Sequence, residues 1–283
     1  MMTTWCRWKS DKVLLNGELF FQCDKNNMED MALQLYRFLK IDYPKFHKMD
    51  SLSKTGFLLT EIIKTRVDIS RYADDEIALV FANNHSCSET DVKFEHSYLE
   101  DKTPSPALFV YTLPNIVTGE ISIRNKWYGE SSVYILPAFD AGFFENQAEI
   151  LQAHTKALMA GWLQLIPETD AFIYFAEKTA EESFSTKKNI TSISFIIKME
   201  NLKEELKKQI IEQLNLEDKK PSDIADDAPL FGDNGIGLDS IDALELIVLL
   251  DKHYHIKLSN PEEGKKVFQS INSMADYINQ TKK

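Results

Sequence analysis

The chain has 283 residues, 43% hydrophobic and 27% charged, with a formal net charge of −12; the length suits two domains and the composition a soluble globular protein. So acidic a chain is poorly matched to nucleic acid, whose phosphates need a basic surface, and no run of about 18 apolar residues offers a membrane span. MMTTWCRWKSDKVLLNGELFFQ at the N-terminus lacks the apolar core and cleavage site of a secretory signal, and Cys6, Cys23 and Cys87 have neither pairing nor metal-ligand spacing, so a cytoplasmic protein is expected.

Taken in chain order, SKTGFLLTEIIKTR (53–66) places apolar residues at 57, 58, 59, 62 and 63, the stripe of a helix. ADDEIALVFA (73–82) ends in a short buried strand, and SSVYILPA (131–138) reads as another. Residues 143–166, FFENQAEILQAHTKALMAGWLQLI, read as one long helix with apolar residues at 150, 151, 157, 158 and 162. DAFIYFA (170–176) follows as a strand, and ITSISFIIK (190–198) as its hairpin partner across a polar turn. Strands alternating with helices predict an α/β domain over 1–198, with a mostly parallel sheet and flanking helices.

At Met199 the pattern changes. NLKEELKKQIIEQLNL puts Leu202, Leu206, Ile210 and Leu214 on one helical face. A polar stretch follows, then a helix from about 240 to 253, a short one near 261–266 and a last one at SINSMADYINQ. This predicts a small all-α four-helix bundle over 199–283, which holds half of the net charge of −12. No Gly/Ser- or Pro-rich linker separates the two parts.

GIGLDSIDALELIVLL (235–250) sets Ser240 among Gly235, Gly237, Asp239 and Asp242 at the mouth of an apolar helix. Unpaired N–H groups and the positive end of the dipole favour an anion there, so a phosphate esterified to Ser240 would be well placed. The simpler alternative is a helix cap by Asp239 or Ser240. The helix supplies Leu244, Ile247, Val248 and Leu249 as an apolar face, and Asp242, Glu245 and Asp251 as acidic positions.

G-x-D-S at 237–240, followed by this acidic–apolar helix, resembles the attachment site of acyl carrier proteins, and the resemblance covers 200–283. It implies that Ser240 receives 4′-phosphopantetheine from coenzyme A through a phosphopantetheinyl transferase, with Asp239 as the motif aspartate. It implies that Asp242 and Glu245 dock partner enzymes and that the Leu/Ile/Val face lines a slot for the acyl chain. The carrier itself catalyses nothing.

KMDSLSKTGFLLTEII (48–63), EIALVFANNHSCSETDVKFE (76–95) and SPALFVYTLPNIVTGEISIRNKWYGESSVYI (105–135) resemble the N-terminal half of β-ketoacyl synthases, over roughly 45–180. Where that family delivers its nucleophilic cysteine the chain reads ILPAFDAGFFENQ, and neither Pro137, Ala138 nor Phe139 can attack a thioester. Asp140 reads as an N-cap, Cys87 lies in another loop, and His47, His85, His96 and His154 read as surface or packing residues. The resemblance implies a half-thiolase-like, chain-length-factor-like subunit that pairs with a complete ketosynthase or forms a homo- or heterodimer. Aryl polyene, flexirubin-type or fatty-acid-like biosynthesis is the implied setting. The alternative is an acyltransferase or thioester hydrolase using Ser131, Ser132 or Asp140 in the 129–140 loop; GESSV lacks the second glycine of a G-x-S-x-G elbow.

Overall fold

The computed structural model describes residues 4–23, 28–178, 186–216, 218–232, 236–258 and 261–281. The chain divides into two compact units, Met1–Thr191 and Ser192–Lys283.

The first unit opens with three antiparallel strands, β1 (Thr4–Lys9), β2 (Lys12–Leu15) and β3 (Glu18–Gln22). Two residues, Asn16 and Gly17, join β2 to β3 with φ of 53° and 89°, the doubly left-handed turn that Asn-Gly tolerates best. Helices α1 (Met28–Phe38) and α2 (Ser51–Lys64) follow, then β4 (Ile77–Asn83), α3 (Ser88–Leu99), α4 (Pro106–Val110), α5 (Ile116–Asn125), β5 (Ser131–Ile135), α6 (Ala141–Leu151), β6 (Ala157–Gln164) and β7 (Asp170–Glu177). The seven strands form one sheet in the order β3-β2-β1-β7-β6-β4-β5.

That sheet is mixed, which corrects the expected mostly parallel one. Only β4 pairs in parallel, with β5 and β6 through helical crossovers; β6–β7, β7–β1, β1–β2 and β2–β3 are antiparallel. The α/β class itself holds.

Two further corrections have the same origin. Residues 143–166 are not one helix: α6 stops at Leu151 and 157–164 form β6. Flanked by β4 and β7 and buried along nearly its whole length, β6 is apolar on both faces, so its run of apolar residues imitates a buried helix. At Gly161 an added Cβ would run into the Phe172 carbonyl of β7, so only glycine fits. Residues 190–198 are helical, within α7 (Thr186–Gln213), and do not form a hairpin with β7. Both edges of β7 are already taken, by β6 and by β1, whose six residues Thr4–Lys9 pair with Phe175–Asp170.

Helix α2 holds the core of this unit. Its N-cap Asp50 accepts the Ser53 N–H at 3.0 Å, and eleven of its residues are buried. Gly56 lets α5 approach closely, because a Cβ there would meet Val117. Across the sheet, the fully buried Arg7 forks onto Asp170 with two bonds of 2.7 Å, joining β1 to β7.

In the second unit the later part of α7 packs with α8 (Asp242–Tyr254), α9 (Pro261–Val267) and α10 (Ile271–Thr281). Leu206 and Ile210 of α7 meet Leu246, Leu249 and Leu250 of α8 and Ile271, Met274 and Ile278 of α10 in a common core. The loop from α7 to α8 is tied down by Asp226, which takes the buried Lys207 at 2.6 Å, and by Leu230, whose N–H reaches the Gln269 carbonyl at 3.1 Å. The sequence boundary at 198/199 falls inside α7.

Candidate functional site

The mouth of α8 is built by Asp239. Its carbonyl accepts the Ala243 N–H at 3.3 Å, so helical bonding begins there. Its carboxylate Oδ1 accepts the N–H groups of Ile241 at 2.7 Å and Asp242 at 3.2 Å. Asp242 answers by accepting the Asp239 N–H at 2.7 Å. This is a reciprocal capping box made of two aspartates. Of the two cap candidates in the sequence, Asp239 does the work. Ser240 is left in the first turn with an exposed hydroxyl that, among the described residues, takes part in no hydrogen bond. Gly237, at φ 85°, turns the loop into this mouth; Gly235 lies outside the described residues.

The apolar residues of α8 separate into three groups. Leu246, Leu249 and Leu250 enter the core. Leu244 and Ile247 line a groove of about 1250 Å³ that also touches Ser240. Ile241 and Val248 remain in solvent. Leu249, expected on the slot face, therefore belongs to the core. The groove is completed by Phe231, Leu238, Leu258 and Phe268, none of which the sequence reading found. They come from the preceding loop, the α8–α9 connection and the end of α9, so no single periodicity links them. Leu238 alone lies within the motif, at its variable position.

Asp242 and Glu245 are half-buried and engaged within the unit: Asp242 on the Asp239 N–H, Glu245 accepting from Gln213 Nε2 of α7 at 2.7 Å. Their charges stay at the start of α8, in fixed positions. A phosphopantetheine arm needs a free hydroxyl to esterify, a helix N-terminus for its phosphate and an apolar surface for its load. Ser240, the first turn of α8 and the groove supply all three.

The first unit offers a second helix mouth at the β5–α6 junction. Asp140 accepts the Phe143 N–H at 3.2 Å and caps α6, as the sequence reading expected. Ser131 and Ser132 sit on β5 opposite Leu79 and Val80. Among the described residues neither hydroxyl has a hydrogen-bond partner, so no base stands ready to activate it. Cys87 is 4% exposed, and burial, then the carboxylates of Asp50 and Asp91, push its thiol up to about 12. Burial drives the Cys6 thiol up as well. His47 packs on Tyr36 and Phe46; His85 bonds Asn84, with burial lowering its pKa; His96 faces Glu100 and Asp101; His154 is exposed. Among the described residues no cluster of His, Cys, Asp or Glu could hold a metal, and no helix is long and apolar enough to cross a membrane.

A family profile described as "Phosphopantetheine attachment site" matches residues 204–278. Over 80 residues the chain is 38% identical to an acyl carrier protein of Brachyspira hyodysenteriae, covering 28% of this chain and 95% of that protein. It is 35% identical over 80 residues to that of Buchnera aphidicola subsp. Acyrthosiphon pisum, covering 28% and 91%. Among solved structures it is similar to a ketosynthase in complex with its chain length factor from Xenorhabdus doucetiae, at 15% identity and a TM-score of 0.43, over 64% of this chain and 81% of that one. A chain of a solved complex between a type II PKS acyl carrier protein and its ketosynthase is matched at 13% identity and a TM-score of 0.43, over 62% of each chain.

Proposed function

Because the chain belongs, through its C-terminal unit, to the acyl carrier protein family, we propose that Ser240 is the residue esterified by 4′-phosphopantetheine. In this reading the protein carries acyl or polyketide intermediates for enzymes on other chains. The observation that carries it is the division of labour at the mouth of α8: Asp239 and Asp242 hold the helix end, and the Ser240 hydroxyl stands exposed and unbonded. When bound, the group supplies a thiol that holds acyl chains as thioesters. The first turn of α8 orients the phosphate, and Leu244, Ile247 and Phe268 keep water from an apolar load.

The first unit, with the division set at 1–198 and 199–283, acts as a ketosynthase-like docking part without catalysis of its own. No nucleophile stands at the start of α6, and Cys87 is buried and protonated. The partners in this reading are a phosphopantetheinyl transferase, a complete ketosynthase and other acyl-modifying enzymes in the bacterial cytoplasm. Aryl polyene, flexirubin-type or fatty-acid-like synthesis is the setting. Strand β5, SSVYI, is a sheet edge with no proline, charge or bulge to block pairing. That supports a homo- or heterodimer formed along it.

Co-expression with a phosphopantetheinyl transferase is expected to add one phosphopantetheine mass, located by peptide mapping to Ser240. An unmodified chain, beside a control carrier modified in the same cells, overturns the assignment.

A further inference from the structure

Among the described residues, the groove beside Ser240 has one cation in its lining. Lys265 of α9 borders the same space as Ser240, Leu244, Ile247 and Phe268. Its place relative to the motif follows from two backbone bonds. The Leu230 N–H reaches the Gln269 carbonyl at 3.1 Å, and the Leu230 carbonyl accepts the Leu238 N–H at 3.2 Å. Leu230 thus ties Gln269 to Leu238, which stands just before Asp239 and Ser240. Lys265 precedes Gln269 by about one helical turn, or ~6 Å along the axis.

Lys265 is exposed and, among the described residues, takes part in no ion pair or hydrogen bond. The two carboxylates in the lining leave it unanswered. Asp239 holds the Ile241 and Asp242 N–H groups, and Asp227 forms no ion pair among the described residues. The helix end does not account for the placement. Lys265 and Lys266 both lie in the last turn of α9, where either one answers the carbonyl end of the dipole. Only Lys265 is set along the apolar groove. An unanswered ammonium there, in a unit that holds half of the net charge of −12, suits an anion that arrives with the ligand. Such an anion would be costly to bring against an apolar wall without a cation.

We propose that Lys265 binds an oxyanion of the group carried on Ser240 and so directs that group into the groove. This rests on Ser240 as the attachment residue. Two sources have the required chemistry: the phosphodiester of the arm, and a carboxylate at the far end of an acyl load. A point charge on a flexible stem serves either.

The test loads the full chain from coenzyme A, succinyl-coenzyme A or butyryl-coenzyme A with a promiscuous phosphopantetheinyl transferase, and intact mass confirms each load. The parent is compared with Lys265→Gln, Lys265→Arg and Lys266→Gln. If the phosphodiester is the partner, Lys265→Gln moves the phosphorus NMR resonance in all three loaded forms. If a carboxylate is the partner, Lys265→Gln speeds loss of the succinyl thioester to hydroxylamine about threefold and leaves the butyryl thioester unchanged. Either result supports the proposal and identifies the source. Lys265→Arg should restore the parent behaviour, and Lys266→Gln should leave it intact. The absence of both effects, or an equal effect from Lys266→Gln, overturns the proposal. A chain that gains no mass, beside a control carrier loaded in the same reaction, overturns the reading of Ser240 and the proposal with it; a loaded chain indifferent to Lys265 overturns the proposal alone.

Discussion

The starts of α6 and α8 use the same cap to different ends. Asp140 accepts the Phe143 N–H, three residues on, at 3.2 Å; Asp239 accepts the Asp242 N–H, also three residues on, at 3.2 Å. After the cap comes Ala141 in one helix and Ser240 in the other. A helix N-terminus is thus a generic device, and its chemistry is set by the one side chain placed in the first turn. The α6 mouth closes on phenylalanines, Phe139 stacking with Phe144 at 5.7 Å. The α8 mouth opens beside a groove.

The largest effect that could break this comparison is modification itself. Ser240→Ala is expected to abolish phosphopantetheine uptake completely in an intact-mass assay while leaving the melting curve unchanged, because Asp239 keeps the cap. Ala141→Ser should not acquire the group, since the α6 mouth lacks the α8 surroundings; labelling at residue 141 would show that the cap alone suffices.

The two units also differ in their ionic anchors. Asp170→Ala removes the carboxylate onto which the fully buried Arg7 forks and should cost about 3–5 kcal/mol in urea unfolding of the first unit. Asp226→Ala removes a partly exposed carboxylate from the buried Lys207, which keeps Glu204 at 3.1 Å, and should cost about 1 kcal/mol in the second. Equal losses would mean that the burial difference does not govern stability here. The smallest effect sharpens the helix comparison: Asp140→Ala and Asp239→Ala should each cost about 1 kcal/mol by chemical denaturation. The second should cost more, because the Asp239 carboxylate accepts two N–H groups, of Ile241 and Asp242, where Asp140 accepts one.

The bundle was legible because its helices are amphipathic and solvent-facing, so a period of 3.6 survives in the sequence. The order of α8, α9 and α10 followed from that, while Ser240 and Asp239 stood out through the resemblance of G-x-D-S to a carrier attachment site. Strand β4 and helix α2 were legible as well, one as an unbroken apolar run, the other as a stripe. What failed lies at the centre of the sheet. β6 is buried on both faces and loses the alternation that marks a strand. β7 takes its second neighbour from Thr4–Lys9, more than 160 residues away, which no local pattern announces. One strong local signal was passed over: Asn16-Gly17 between KVLL and ELFFQ marks the β2–β3 hairpin. The groove beside Ser240 was legible only from the α8 side, because its other wall is assembled from separate segments.

The burial of all three cysteines bears on what the carrier can keep. A thioester is lost most readily to another thiolate, and the thiolate population of Cys87 at neutral pH is vanishingly small. An acyl group on the arm therefore finds no sulfur acceptor on the surface of its own chain. Thiol exchange within the chain is thus closed to the cargo, and the lifetime of the loaded state turns on the nucleophile that a docked partner brings.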